Sequence, residues 1–282
     1  MQQTANRLRR LAYAAGLAAK AADTEAVHDL RVAIRRLAQC LRAFAPFFPH
    51  RATRKIRRAL KAMLALASAV RDRDIAVNLA ARAKIAPGTE LRTRLAEERG
   101  VAQKALVTDL KQWTRTNLSR KWRSSLMEDE LSRDSSPSAA SSARQSLPDL
   151  VVSYYQAGRT LLAADANPET LHEFRLLTKK VRYTLELYRS CYGPGLERIL
   201  TSLARMQDHL GAISDCETTA RTCGAAVAED SPDLERLRTY LSRRAAREEA
   251  AFRRYWREEF DAAAEIQRWV TYLKRPTARA SG

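Results

Sequence analysis

The stretch His28-Asp29-Leu30-Arg31-Val32-Ala33-Ile34-Arg35-Arg36-Leu37 returns in kind as His172-Glu173-Phe174-Arg175-Leu176-Leu177-Thr178-Lys179-Lys180-Val181. Each copy sets a His, then a base three residues on, then a basic pair. On an α-helix the i, i+3 and i+7 positions share one face. Around the first copy Val27, Leu30, Ile34, Leu37, Leu41 and Phe44 keep an alternating three-four spacing, the core stripe of a bundle helix. Leu171, Phe174, Thr178, Val181, Leu185 and Tyr188 fall opposite them position by position. The cations His28, Arg31, Arg35 and Arg42 sit one residue further round. They therefore edge a packed seam instead of lying on its far side.

The rest of the chain extends this frame. A first helix is expected over Thr4–Ala21, and Asp23 is placed to cap the second, with Glu25 favourable in its first turn. Pro46 and Pro49 end that helix. A third helix is expected over Arg51–Val70, then a turn in which Asp72 caps a fourth, Ile75–Ile85. Pro87-Gly88 breaks the chain before helices over Glu90–Trp113 and Arg120–Leu131. Residues 134–146 are Ser-rich and read as a flexible linker. Beyond it the order repeats. A helix is expected over Pro148–Ala164, and Asn167 caps the next with Pro168 at its first position. Leu196–Leu210 follows, with Ile213-Ser214-Asp215 opposite Val70-Arg71-Asp72. A long last helix spans Asp233–Tyr272, and the tail frays from Lys274. Trp113 falls opposite Trp256, a recurrence that suits core residues better than stacking platforms. The expected fold is all-α: two pseudo-symmetric helical bundles from an internal duplication, residues 1–133 and 147–282.

The formal net charge of +18 points to a polyanionic partner. It is unevenly placed: residues 1–133 carry 28 Lys and Arg against 12 Asp and Glu, the remainder 22 against 20. The third helix opens with Arg51, Arg54, Lys55, Arg57, Arg58 and Lys61, of which Arg54, Arg58 and Lys61 share a face. Cations packed this closely repel one another and call for a neutralising ligand. The second half keeps mainly Arg198 and Arg205 there, with His209 behind, and sets Glu197 and Thr201 opposite Arg54 and Arg58. No stretch is apolar enough for a membrane helix, and no signal peptide is expected. Four scattered cysteines suit a reducing cytoplasm. No Walker A, G-x-S-x-G or C-x-x-C is present, and no His and carboxylate set has metal-ligand spacing. Hence no metal, cofactor or catalytic residue is expected. Asp72 and Asp215 read as caps or as partners of nearby Arg.

His28-x-x-Arg31-x-x-x-Arg35-Arg36 and His172-x-x-Arg175-x-x-x-Lys179-Lys180, each followed some forty residues on by an Asp-bearing turn, resemble the CHAD family, whose name abbreviates conserved histidine α-helical domain. The resemblance covers about residues 5–270. It implies two pseudo-symmetric bundles around a central pore lined with basic residues, binding of inorganic polyphosphate, and association with polyphosphate granules. Some members carry a triphosphate tunnel domain marked by E-x-E-x-K. That motif is absent, so a stand-alone member is expected. The implied anion-binding set is His28, Arg31, Arg35, Arg36, His172, Arg175, Lys179, Lys180 and Arg182. The basic helix faces add Arg42, Arg54, Lys55, Arg58, Lys61, Arg198 and Arg205. The two histidines can donate to a phosphate oxygen or hold a neighbouring helix, and both roles stay open. The expectation is a non-enzymatic polyphosphate binder, cytoplasmic and at granules, with granule-associated proteins as further partners. A nucleic-acid binder is the alternative, disfavoured because no aromatic row interleaves the basic stripes.

Overall fold

The computed structural model describes residues 2–21, 23–127, 139–163, 167–261 and 264–275. Among these the chain is helical and contains no strand. In order the helices are α1 (Gln2–Lys20), α2 (Thr24–Ala43), α3 (His50–Arg82), α4 (Glu90–Arg115), α5 (Leu118–Met127), α6 (Ala139–Ala163), α7 (Pro168–Leu187), α8 (Gly195–Gly224), α9 (Pro232–Tyr255) and α10 (Glu265–Leu273).

Two helix starts follow directly from local chemistry. The first backbone N–H groups of a helix have no partner inside it, so a short polar side chain just before them is stabilising. Ala26 N–H donates to Asp23 Oδ1 at 2.8 Å, and Thr170 N–H donates to Asn167 Oδ1 at 2.9 Å. Pro168 stands at the first position of α7, where its missing N–H costs nothing.

The described residues group into two compact units. One comprises residues 1–134 with 215–242, the other residues 135–214 with 243–282. In the first, α1 packs on α2 and α4, and α3 packs on α2 and α4. Its core is mainly aliphatic, with Phe48, Trp113 and Trp122 included: Leu11, Leu30, Ile34, Leu37, Leu60 and Leu110 are essentially inaccessible, as the three-four spacing requires. In the second, α6 packs against α7 and α10 around an aromatic core. Tyr154 stacks on Phe174 with centroids 5.0 Å apart, and Trp256 meets Phe260 edge to face at 4.6 Å. Gly158 on α6 admits the Trp256 ring: a Cβ there would overlap it.

Four sequence expectations are corrected. No turn interrupts residues 70–74, because α3 runs unbroken from His50 to Arg82. That segment has no Gly or Pro, and its alternating charges find partners on α4. Arg73 pairs with Glu98 at 3.1 Å, and Arg99 donates to Asp74 Oδ1 at 2.7 Å. Asp72 is therefore a mid-helix residue and not a cap. Likewise α8 continues through Ile213-Ser214-Asp215 to Gly224.

The Ser-rich linker is shorter than 134–146. Residues 134–138 lie outside the described residues, but 139–146 form the opening turns of α6, with Ala143 and Leu147 buried. Ser146 Oγ donates to the Ser142 carbonyl at 2.8 Å, one turn back. Finally, the expected helix over 233–272 is divided. A π-helical segment spans Trp256–Asp261, and Ala264 adopts a left-handed φ of 50° before α10. No Gly or Pro announces this break. Packing of Trp256, Phe260 and Trp269 overrides local propensity. Residues beyond Arg275, where the tail is expected to fray, and residues 128–131, expected to end α5, lie outside the described residues.

Candidate polyanion-binding faces

Sequence order places the cations, but their surroundings decide what each is free to do. In the first unit, Arg54, Lys55, Arg58 and Lys61 on α3 are all exposed and make no ion pair among the described residues. The core positions Thr53, Ile56 and Leu60 hold the opposite side of this helix in the bundle. The cations thus project from a rigid element. Arg42, exposed near the end of α2, lies within the electrostatic reach of Arg57. Partial burial and then that like charge lower its pKa. The start of α3 and the end of α2 therefore concentrate positive charge without internal compensation.

Further along, α2 and α3 make a second, mixed arrangement. His28 is exposed and makes no hydrogen bond to a neighbouring helix among the described residues. Its pKa is lowered, first by partial burial and then by Arg71, with Asp29 and Glu25 opposing. Arg31 is half-buried and its Nη1 stands 3.9 Å from Asp72 Oδ1. Burial raises the Asp72 pKa, Arg31 opposes it, Asp215 adds to it, and Arg73 and Arg35 oppose it. The structure thus brings His28, Arg31 and Arg35 of α2 together with Arg71, Asp72 and Arg73 of α3 and with Asp215. Arg36 is set apart: it faces a groove against α1 with Arg7, Arg9 and Arg10.

The second unit holds its cations differently. Arg182 Nη1 donates to Gln207 Oε1 at 3.3 Å, and its Nε lies 3.4 Å from the buried Glu186 carboxylate. Arg205 Nη1 donates to Glu259 Oε2 at 2.6 Å, and its guanidinium sits 4.2 Å over the Tyr255 ring. Lys179 is only 8% exposed. Arg175 is half-buried, while His172, Lys180 and Arg198 are exposed. His209 Nδ1 contacts Glu248 Oε2 at 2.9 Å. Among the described residues, then, Arg182 and Arg205 are engaged by carboxylates and Lys179 is largely buried.

Sequence reasoning did not identify the partners Glu98, Glu186, Gln207 and Glu259, nor Arg71 beside His28. Reading residues 70–74 as helix would have placed Asp72 toward α2 and Asp74 on the far side, toward α4. No group of three or more His, Cys, Asp or Glu among the described residues is arranged to hold a metal ion. No described helix is long and apolar enough to cross a membrane. The four cysteines are buried and free. Trp113 and Trp256 are buried, in keeping with the core role expected of them.

The family model for the CHAD domain matches residues 2–224. A crystal structure of the CHAD domain from the plant Ricinus communis superposes with a TM-score of 0.69 at 23% identity, covering 98% of this chain and 91% of that one. PptA from Streptomyces chartreusis superposes with a TM-score of 0.63 at 16% identity, covering 91% of this chain and 99% of that one. At these identities both likenesses speak to the fold. No curated protein matches the chain.

Proposed function

This chain belongs to the CHAD domain family, and we propose that it binds inorganic polyphosphate through the exposed cations of α2 and α3, without turning it over. The observation that carries this reading is the uncompensated face of Arg54, Lys55, Arg58 and Lys61, with Arg42 and Arg57 beside it. A linear phosphate polymer presents acceptor oxygens at every repeat. Arg meets them with a planar fork of donors and Lys with a compact charge. A helix face holding cations at successive turns suits such a ligand, because the polymer can follow the row. Binding releases counterions and weakens steeply with salt. The half-buried pair Arg31 and Arg35, with His28 beside them, extends the track toward Asp72.

Nucleic acid is the competing ligand of like charge. Base stacking needs exposed aromatic rings along the cationic track, and none stands among the α3 cations. The deciding experiment is competition at ~150 mM salt between long-chain polyphosphate and duplex DNA, a salt level at which nonspecific DNA contacts are weakened. Polyphosphate should displace DNA, and efficient displacement of polyphosphate by DNA overturns the reading. Incubation with polyphosphate and a divalent cation should release no phosphate. A fluorescent fusion should gather at polyphosphate granules, where granule-associated proteins are the partners to seek by crosslinking.

A further inference from the structure

Between α1 and α2 lies an open groove of about 690 Å³. On α2 it is bordered by Asp29 and Arg36, which share a face distinct from that of His28, Arg31 and Arg35. From α1 come Arg7, Arg9, Arg10 and Tyr13. Four arginines and a single carboxylate therefore line one groove. Arg9 Nη2 donates to Asn6 Oδ1 at 2.5 Å. Arg10 is exposed and makes no ion pair among the described residues. Tyr13 is 71% exposed, the most exposed of the large apolar side chains among the described residues.

The three chemistries in the groove demand different things of a ligand. Guanidinium forks call for an anion rich in oxygen. An exposed aromatic ring offers a flat face on which a planar π-system stacks. A carboxylate at neutral pH only accepts, so Asp29 asks for a hydrogen-bond donor. A bare phosphate polymer satisfies the first and none of the others, and Asp29 repels it. The volume lies within the range of small-molecule sites, about 300–1,000 Å³.

We propose that the α1/α2 groove binds a nucleoside triphosphate. The base stacks on Tyr13, the phosphates meet Arg7, Arg10 and Arg36, and a ribose hydroxyl or exocyclic amine donates to Asp29. None of the α3 cations takes part, so this site stands or falls separately from polyphosphate binding.

The test is calorimetric titration of the full chain with ATP and with inorganic triphosphate, which carries comparable charge but no base or sugar. ATP should bind about tenfold or more tighter than triphosphate, as one stacked ring allows. Tyr13→Ala should remove about that factor for ATP and leave triphosphate unchanged. Asp29→Ala should weaken ATP while tightening triphosphate. The titrations are repeated in the Arg54→Ala/Arg58→Ala background, which weakens anion binding at α3, and there the preference for ATP over triphosphate and its dependence on Tyr13 should persist. Tyr13 and Asp29 are exposed, and circular dichroism confirms that each variant folds. Equal affinity for ATP and triphosphate, or ATP binding indifferent to Tyr13→Ala, overturns the proposal. So does a single-stranded oligonucleotide that binds far more tightly than ATP with the same dependence on Tyr13, which would assign the groove to a nucleic-acid strand.

Discussion

Arg31 on α2 and Asp72 on α3 face one another with Nη1 and Oδ1 3.9 Å apart, the arginine side chain 12% exposed and the aspartate 31%. The separation is that of an ion pair without a short hydrogen bond. Asp72 therefore offsets the charge that Arg31 would otherwise present to an anion. Because burial already raises its pKa, ionised Asp72 sits in a place that disfavours its charge. Asp72→Asn should strengthen polyphosphate binding by roughly threefold to tenfold, the worth of one partly screened charge. The unfolding free energy from chemical denaturation should stay within about 1 kcal/mol of the wild type. Weaker binding in this variant would show instead that the carboxylate aims Arg31 at the ligand.

His28 should give polyphosphate binding a pH dependence. Its pKa is lowered by partial burial, then by Arg71, with a further lowering from Arg31. The unfolded chain thus holds more protons at this site than the folded one. The stability contributed by neutral His28 is present above the ordinary histidine value of about 6.5 and is lost as pH falls below it. A bound polyanion pulls the pKa back up, so binding takes up a proton. Polyphosphate affinity should rise as the pH is lowered from about 7.5 to about 5.5, across the histidine range, and His28→Gln should flatten the rise. Titrations in buffers of different ionisation enthalpy read the proton uptake directly, and an unchanged profile in the variant removes His28 from the site.

Two glycines separate packing from propensity. A Cβ at Gly158 would strike the Trp256 ring, whereas one at Gly16 would meet nothing within 4 Å. Gly158→Ala should cost about 3 kcal/mol, since the aromatic core must shift to admit a methyl group. Gly16→Ala should stabilise α1 by up to about 1 kcal/mol, because it restricts the unfolded chain and suits a helix interior. Denaturant titration compares the two, and a Gly158→Ala protein as stable as wild type would mean that Trp256 does not press on α6.

How much of this was legible in the sequence varies from element to element. The caps Asp23 and Asn167 and the apolar stripes beginning at Val27 and Leu171 were readable, because each depends on residues within a turn or two of itself. Asp72 was misread because Arg71-Asp72-Arg73-Asp74 looks like a turn in isolation. Its charges are neutralised by residues distant in sequence, Arg31 on one side and Arg99 and Glu98 on the other. The division near Ala264 was invisible for a similar reason, since aromatic packing and not a breaker residue ends the helix there. The cations were easy to find and hard to rank. Arg182 and Arg205 look like Arg54 and Arg58 in sequence, and only Glu186, Gln207 and Glu259 reveal that they are engaged.

That ranking leads to the measurement that tests the account most directly. Two fourfold alanine variants are compared for binding to long-chain polyphosphate at fixed salt: Arg31, Arg35, Arg54 and Arg58 in one, Arg175, Lys179, Arg182 and Arg198 in the other. The first set includes two exposed cations of α3 with no ion pair among the described residues; the second includes one cation paired with Glu186 and one largely buried. The first variant should lose about tenfold or more in affinity and show a shallower salt dependence, as removal of phosphate contacts requires. The second should lose less than about threefold, with its salt dependence nearly intact. Equal losses in the two would contradict the account, and would show the charge concentrated on α3 to be surface charge without a role in binding.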